Sequence, residues 1–256
     1  MVNNPSRESL PGISSDVSAG PETLAPTARG AMLYDASCCG QPDERLFERD
    51  RWRSQGALEE SAGGRGTVAF IRDGERRWVL RHYRRGGLVA RLLGENYLWT
   101  GADRTRAFRE WRLLRELRAA GLPVPEPVAA RYERRGPFYR ADLITAELPT
   151  RRTLVHALSA APLDTATWRA VGACVGRLHA RGVHHADLNA HNLLLGPDGT
   201  VYVLDFDRGR IRPRGAWEQS VLERLQRSLR KVSAPMPPGR FDDDAWQALL
   251  QGLKDT

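Results

Sequence analysis

Three oxygen-bearing side chains lie close together in the sequence, within a stretch of loop and strand signals. Asp187 and Asn192 are five residues apart, and Asp205 follows thirteen residues after Asn192. Two short apolar runs, 193–195 and 201–204, lie between Asn192 and Asp205 and are separated by a Gly-Pro-Asp-Gly turn. Apolar runs around such a turn are typical of a hairpin. The sequence therefore predicts a loop with Asp187 and Asn192, then a hairpin, then Asp205 at a strand end.

These three side chains suit phosphoryl transfer. The oxygens of Asn192 and Asp205 are ligands that Mg²⁺ prefers, and a bound Mg²⁺ also shares phosphate oxygens and water. Asp187 would accept the proton of an attacking hydroxyl. The spacing resembles the protein-kinase pattern of a catalytic-loop aspartate, an asparagine five residues on and a later aspartate before phenylalanine. The alternative is a capped hairpin with solvated acids, which requires the spacing and the strand pattern to coincide by chance.

A glycine-rich segment lies upstream, before the first clear strands. Gly64 and Gly66 precede an apolar run at 68–71, and an Asp-Gly turn leads to a second run at 77–82. Glycines let backbone amides approach phosphate groups closely. A glycine loop alone fits an ordinary hairpin end equally well. Its position upstream of a kinase-like catalytic loop favours nucleotide binding by Gly64 and Gly66.

Arg81 lies near the end of the second run, where kinases carry a lysine that holds the nucleotide phosphates. No lysine precedes Lys231, so Arg81 is the expected replacement. The guanidinium of arginine is a planar group with several donors, whereas the ammonium of lysine is a compact charge, so the two would contact phosphates differently. Apolar periodicity predicts a helix at 104–120, in which Glu110 is the expected partner of Arg81 and Glu116 the competitor. A solvated arginine at a strand end is the other interpretation of Arg81.

The chain order places further elements of the site. Two strands are predicted at 128–132 and 138–144, and a Thr-Ala-Glu-Leu stretch that contains Glu147 follows where a kinase hinge would lie. Backbone groups of that stretch would contact adenine. A helix at 164–181 then leads into the catalytic loop. The nearby histidines do not form a compact ligand set and no cysteine completes one, so zinc is not expected.

The composition is that of a globular protein, with 41% hydrophobic and 27% charged residues in a chain of 256. No run approaches the length of a membrane-spanning helix, and no secretory signal is recognisable. Three cysteines, two of them adjacent, are a poor disulfide framework and favour reduced thiols. We expect a disordered tail at 1–30, an N-terminal β-rich lobe at 31–148, and a C-terminal helical lobe with the catalytic loop at 149–256.

Positive charge is concentrated outside the predicted tail. The net charge is +8, and residues 1–30 carry −1, which leaves +9 for the rest of the chain. Such a charge favours anionic partners: nucleotides, nucleic acid or anionic lipid headgroups. Apolar residues at 88–99, beside Arg84, Arg85 and Arg91, could contact a membrane surface. Packing of these apolar residues on their own domain is the favoured alternative.

Seven segments carry a more specific pattern. They are Arg-His-Tyr-Arg-Arg-Gly-Gly at 81–87, Tyr-Leu-Trp-Thr-Gly at 97–101, Thr-Arg-Ala-Phe-Arg-Glu at 105–110, Gly-Leu-Pro-Val-Pro at 121–125, Tyr-Arg-Ala-Asp-Leu-Ile at 139–144, His-Ala-Asp-Leu-Asn-Ala-His-Asn at 185–192, and Asp-Phe-Asp-Arg-Gly-Arg at 205–210. On these segments the chain resembles the 3-deoxy-D-manno-octulosonic acid (Kdo) kinases of Gram-negative bacteria. The resemblance spans most of residues 60–215 and implies an α+β, two-lobed protein-kinase-like fold.

The resemblance also implies an activity and its cofactors. It implies ATP- and Mg²⁺-dependent phosphorylation of the 4-hydroxyl of Kdo in Kdo-lipid A, by a peripheral protein at the cytoplasmic face of the inner membrane. Asp187 matches the active-site acid, and Asn192 and Asp205 match the metal ligands. The chain departs from the generic kinase pattern at Arg81, which replaces lysine, and at Asp207, which replaces the glycine of Asp-Phe-Gly. Asp207 would supply either an extra metal contact or only an acid in the turn.

Three rival functions remain at this stage. A lipopolysaccharide heptose kinase would share the same fold logic. A catalytically inactive kinase-like protein could bind anionic lipid, although the complete set of Asp187, Asn192 and Asp205 argues against it. A nucleic-acid binder is suggested by charge alone, and no matching aromatic and basic motif is recognisable. Arg208 and Arg210 are candidates to bind the acidic sugar or its lipid phosphates, with a structural role as the alternative.

Overall fold

The structure is a computed structural model that describes residues 20–60, 68–84 and 95–256. The described residues contain twelve β-strands: Glu22–Thr27 (β1), Gly30–Asp35 (β2), Leu58–Glu60 (β3), Val68–Asp73 (β4), Arg76–His82 (β5), Tyr97–Leu98 (β6), Pro127–Arg135 (β7), Phe138–Ala146 (β8), Val183–His184 (β9), Leu193–Leu195 (β10), Val201–Val203 (β11) and Arg210–Ile211 (β12). They also contain seven α-helices: Ala36–Cys39 (α1), Arg49–Ser54 (α2), Arg106–Ala119 (α3), Leu154–Ala160 (α4), Thr165–Ala180 (α5), Trp217–Ser233 (α6) and Asp243–Lys254 (α7). The large sheet is formed before residue 147 and most of the longer helices follow it, which gives the predicted α+β fold.

One antiparallel sheet contains the first eight strands. Seven of them are ordered β1-β2-β7-β8-β5-β4-β3, and β6 pairs with β8 beside this path. Two-residue turns join β4 to β5 and β7 to β8, and each contains a glycine in the left-handed region, Gly74 at φ 61° and Gly136 at φ 59°. Glycine adopts this conformation without strain, so both turns follow directly from the sequence.

Helix α3 packs on one face of the sheet. Its side chains at Phe108, Trp111, Leu114 and Leu117 are at most 2% exposed, which confirms the apolar face predicted for this segment. Their burial fixes the rotation of the helix about its axis. Glu110, on the same helix, is consequently directed into the interior, where its side chain is 2% exposed. The helix therefore carries a charged group into the interior, where it pairs with Arg81 of β5.

Helices α5 and α7 lie in close contact behind the catalytic loop. A Cβ atom built at Gly172 would lie 1.8 Å from the backbone oxygen of Leu249, and one at Gly252 would lie 2.0 Å from that of Arg169. Only glycine permits the two backbones to approach this closely. The C-terminal end of α5 leads directly into β9 and the loop that contains Asp187, so this packing fixes the direction from which the loop begins.

The prediction of a disordered tail through residue 30 was wrong for its C-terminal part. Strand β1 pairs with β2 in full register, from Glu22 opposite Asp35 to Thr27 opposite Gly30. The carboxylate of Glu22 also accepts hydrogen bonds from Arg112 of α3. The prediction rested on the low apolar content of this segment. The edge strand is held by backbone pairing and an ion pair, however, and needs little burial of apolar side chains. Residues 1–19 of the predicted tail lie outside the described residues.

Candidate active site

The loop before Asp187 is held by a buried histidine. His185 is 2% exposed, and its Nε2 lies 2.8 Å from the backbone oxygen of Leu204. Its Nδ1 accepts the backbone N–H of Asp187 at 3.3 Å. Burial lowers the pKa of His185, so the ring is neutral, with Nε2 donating and Nδ1 accepting. This one side chain ties the Asp187 loop to the strand that leads to Asp205.

Asn192 is oriented by the same loop. Its Nδ2 donates to the backbone oxygen of Asp187 at 3.1 Å, and the side chain of Asn189 donates to that oxygen at 2.8 Å. The backbone oxygen of Asn192 in turn accepts the N–H of Leu204 at 2.8 Å. Since the amide nitrogen is used by the loop, the amide oxygen is the atom of Asn192 that remains for a cation.

Asp205 has an unusual backbone conformation. With φ at 63°, it is the only residue other than glycine with a positive φ in the described part of the chain. Strained backbone of this kind clusters at functional sites. The conformation reverses the chain so that the next residue, Phe206, packs its ring 4.8 Å from His185 and donates its N–H to Glu110 at 3.0 Å. The Asp205 carboxylate accepts a hydrogen bond from Arg81.

Arg81 bridges two acids, Glu110 of α3 and Asp205, which follows β11. One guanidinium nitrogen donates to Glu110 and the other to Asp205. Tyr83 donates its hydroxyl to the same Glu110 oxygen, and burial raises the pKa of Tyr83 well above its usual range, so it remains a donor. The ion pair confirms Glu110 as the partner of Arg81, whereas the side chain of Glu116 is exposed.

Asp207, the residue that replaces the expected glycine, forms an ion pair. Its two carboxylate oxygens contact the Nε and Nη2 atoms of Arg106, the first residue of α3. The Arg106 guanidinium also lies 4.7 Å from the centre of the Tyr97 ring. Both Asp207 oxygens are thus engaged by α3, which favours a role in fixing this helix over a metal contact. Arg106 was not among the residues predicted for the site.

A cavity of about 440 Å³ lies between the sheet and the β10–β11 hairpin. Arg81, Asn192 and Asp205 form a polar end of its lining, because Arg81 contacts Asp205 and the backbone oxygen of Asn192 accepts the N–H of Leu204, the residue before Asp205. Its apolar walls come from both parts of the chain and include Val68, Val79, Leu143, Leu148, Leu194 and Leu204. An apolar pocket of this size with a few convergent polar groups is typical of a small-ligand site. The three residues predicted from separate motifs therefore meet at one end of one cavity.

Glu147 lines this cavity, and its backbone N–H and its carboxylate are both engaged by other residues. Its backbone N–H donates to the oxygen of Arg77 at 2.9 Å. Its carboxylate accepts a hydrogen bond from Arg151, which also contacts Glu59 at 2.6 Å. Glu147 was predicted as a nucleotide-binding residue, whereas Arg151 was not. The other two predicted nucleotide-binding residues, Gly64 and Gly66, lie outside the described residues.

Asp187 lies apart from the cavity lining, at its exposed side. Its side chain is 56% exposed, and its Oδ1 accepts a hydrogen bond from Arg224 Nη1 at 2.8 Å. Arg224 belongs to α6 and was not among the residues predicted for the site. The oxygens of Asn192 and Asp205 suit a Mg²⁺ ion that also binds phosphate oxygens and water. The arrangement thus combines a cavity of small-ligand size, two oxygen-bearing side chains in its lining and a separate, exposed carboxylate.

Comparisons with known proteins agree with this chemistry. The sequence model of the lipopolysaccharide kinase (Kdo/WaaP) family matches residues 49–252. The chain is 45% identical to a 3-deoxy-D-manno-octulosonic acid kinase of Stenotrophomonas maltophilia (strain R551-3), over 79% of this chain and 81% of the relative. It is 39% identical to the kinase of the same name from Vibrio parahaemolyticus, over 78% of this chain and 84% of the relative.

Proposed function

The chain belongs to the lipopolysaccharide kinase (Kdo/WaaP) family, and from this premise we propose that it transfers the γ-phosphoryl group of ATP to the 4-hydroxyl of Kdo in Kdo-lipid A. The meeting of Arg81, Asn192 and Asp205 at one end of a cavity, with Asp187 beside it, is the observation that supports this function. Kinases of this kind catalyse transfer by positioning and charge neutralisation.

The cavity is the proposed site of ATP. Its apolar walls would hold the base, and the backbone of Leu148 would contact adenine, because the N–H of the preceding residue already donates to Arg77. Arg81 would bind the phosphates. Asn192 and Asp205 would hold Mg²⁺, which when bound neutralises the charge on the transferred phosphoryl group.

Asp187 is the proposed proton acceptor for the sugar hydroxyl. Its half-exposed position outside the cavity lining suits a large acceptor that approaches from solvent or from a membrane surface. Hydrogen bonds to its backbone N–H and C=O fix the loop at this residue. The carboxylate therefore lies in a defined place where an acceptor hydroxyl can meet the end of the nucleotide.

Incubation with Kdo-lipid A, ATP and Mg²⁺, followed by mass spectrometry, tests the proposed function directly. We expect a mass gain of one phosphate on the Kdo residue, located at the 4-position by NMR. A parallel acceptor that also carries heptose distinguishes the heptose-kinase alternative. Phosphate found only on heptose would overturn the proposal, and ATP binding without turnover on either acceptor would favour a catalytically inactive binding protein.

Replacing Asp205 with asparagine should weaken Mg²⁺ and nucleotide binding together. The substitution removes a charged ligand while it preserves the size of the side chain, and a hard divalent cation binds carboxylate more strongly than amide. We expect the Mg²⁺ titration of activity to shift to higher concentration, with a parallel rise in the Kd of ATP measured by calorimetry. Titration curves that coincide with wild type would remove Asp205 from the metal site.

We also propose peripheral contact with an anionic inner-membrane surface. No helix in the described residues is long and apolar enough to cross a membrane, and the chain carries a net charge of +8. Anionic lipids attract such a charge. In the stretch predicted at 88–99, Tyr97 is buried, whereas Leu98 is 60% exposed. Residues 85–94, with Arg85 and Arg91, lie outside the described residues.

Binding to anionic vesicles should weaken as salt rises, because exposed charges are screened within about 8 Å at physiological ionic strength. Leu98→Ser should weaken it further, whereas Leu24→Ser is the matched control, since both leucines are 60% exposed. Co-sedimentation with vesicles that contain or lack phosphatidylglycerol measures the effect. Equal binding by both variants would exclude Leu98 from the contact, and binding that is independent of salt would end the electrostatic proposal.

A further inference from the structure

Arg224 makes a single ion pair in the described part of the chain, and that pair is with Asp187. The contact from Arg224 Nη1 to Asp187 Oδ1 is 2.8 Å, and the two side chains are 50% and 56% exposed. Exposed pairs of this kind contribute little to stability. The pair therefore has no evident structural purpose, although it places a cation on the proposed proton acceptor.

The location of Arg224 assigns it to the acceptor and not to ATP. The cavity lining contains Arg81 and Arg151 but neither Asp187 nor Arg224. Arg81 is already directed at the polar end of the cavity, where the phosphates would lie, and contacts Asp205 there. Arg224 reaches Asp187 from α6, on the exposed side. A group that binds beside Asp187 from solvent would meet this guanidinium.

An acidic sugar creates an electrostatic problem at this place that Arg224 can solve. The named relatives act on 3-deoxy-D-manno-octulosonic acid, whose carboxylate would approach the negatively charged Asp187. Two carboxylates at close range repel each other. A guanidinium has five N–H donors in a planar fork and can bind two carboxylates at once. One donor of Arg224 already binds Asp187 Oδ1, and no other described residue bonds Oδ2 or the remaining Arg224 donors.

We propose that Arg224 binds the carboxylate of the acceptor sugar while it remains in contact with Asp187, and so selects acidic sugars. The inference rests on the proposed function and adds the residue that recognises the acid. Asp187 Oδ2 accepts the hydroxyl proton, and Arg224 neutralises the two carboxylates. A neutral sugar gains nothing from this cation, so Arg224 determines specificity without taking part in proton transfer.

The test compares two acceptors and three variants at saturating ATP. The acceptors are Kdo-lipid A with the free acid and the same molecule with the Kdo carboxylate converted to an amide. The variants are Arg224→Ala, Arg224→Lys and the control Arg227→Ala, on the same helix, whose side chain is 70% exposed and lies 3.9 Å from Glu223. The kcat/KM for each acceptor and the KM for ATP are measured.

We expect Arg224→Ala to lower kcat/KM for the acid by about 10- to 100-fold, the usual loss for a hydrogen bond to a charged group. With the amide acceptor, the kcat/KM of the wild type should fall by a similar factor, and the kcat/KM of Arg224→Ala should be no lower than its value with the acid. Arg224→Lys should recover part of the activity on the acid, with KM for ATP and the Arg227→Ala control unchanged.

Equal losses on acid and amide would overturn the inference and show that Arg224 acts on Asp187 alone. Failure of wild type on both acceptors would instead overturn the proposed function.

Discussion

Replacing Asp187 with alanine should lower kcat by about 10²- to 10⁴-fold, the usual contribution of a positioned proton acceptor. The KM for ATP should change little, because Asp187 does not line the cavity in which the nucleotide would bind. Folding should be preserved, since the side chain is 56% exposed and its one contact with a described residue is a surface ion pair. Steady-state kinetics with saturating acceptor, together with calorimetric ATP binding, separate these two effects.

Asp244→Ala is the matched control for this substitution. Asp244 is also an exposed acid, and it lies in the first turn of α7, away from the cavity. Its removal changes the net charge by the same amount, so any general electrostatic effect on an anionic acceptor would appear in both variants. A kcat for Asp187→Ala near that of the control would remove Asp187 from the mechanism. A matched loss of ATP binding in Asp187→Ala would place this residue on the nucleotide instead.

The polar core of the site is predictable from sequence because its members are close in the chain. Asp187, Asn192 and Asp205 are joined by one loop and one hairpin, and the turn chemistry between them determines the local geometry. The structure brings Asn192 and Asp205 to the same end of the cavity, as predicted. The partner of Arg81 was also predictable, because the apolar face of α3 leaves Glu110 on the buried side and Glu116 on the exposed side.

The remaining contacts depend on tertiary packing and leave no local signal. Arg224 lies 37 residues after Asp187, and Arg106 lies 101 residues before Asp207. Each is one of many arginines in the chain, so composition cannot identify it. Strand β1 was missed for a related reason, since edge pairing with β2 requires no apolar pattern. The predicted boundary between the lobes at 148–149 and the roles of the site residues stay predictions.

Removing Glu110 should damage both stability and ATP use. Glu110 accepts hydrogen bonds from Arg81, Tyr83 and the backbone N–H of Phe206, and its side chain is 2% exposed. Glu110→Ala removes one of the two carboxylates that pair with Arg81 and leaves the Tyr83 hydroxyl and the Phe206 N–H without this acceptor. Removal of one partner from a buried pair costs about 3–5 kcal/mol, and we expect about 3 kcal/mol here because the Arg81 side chain is still 23% exposed. Urea unfolding measures this loss, and Glu116→Ala on the same helix is the control.

The effect on ATP should pass through Arg81, so the two substitutions should not be additive. Arg81→Ala and Glu110→Ala should each raise the KM for ATP, and the double variant should do little worse than either one. Residues in direct contact typically show a coupling of about 0.5–3 kcal/mol in such a cycle. If Glu110→Ala does not fold, Glu110→Gln takes its place, because the amide still accepts hydrogen bonds but carries no charge. Arg81→Lys should recover little activity, since a point charge cannot contact Glu110 and Asp205 as the guanidinium fork does. Strictly additive losses would show that Glu110 does not act by positioning Arg81.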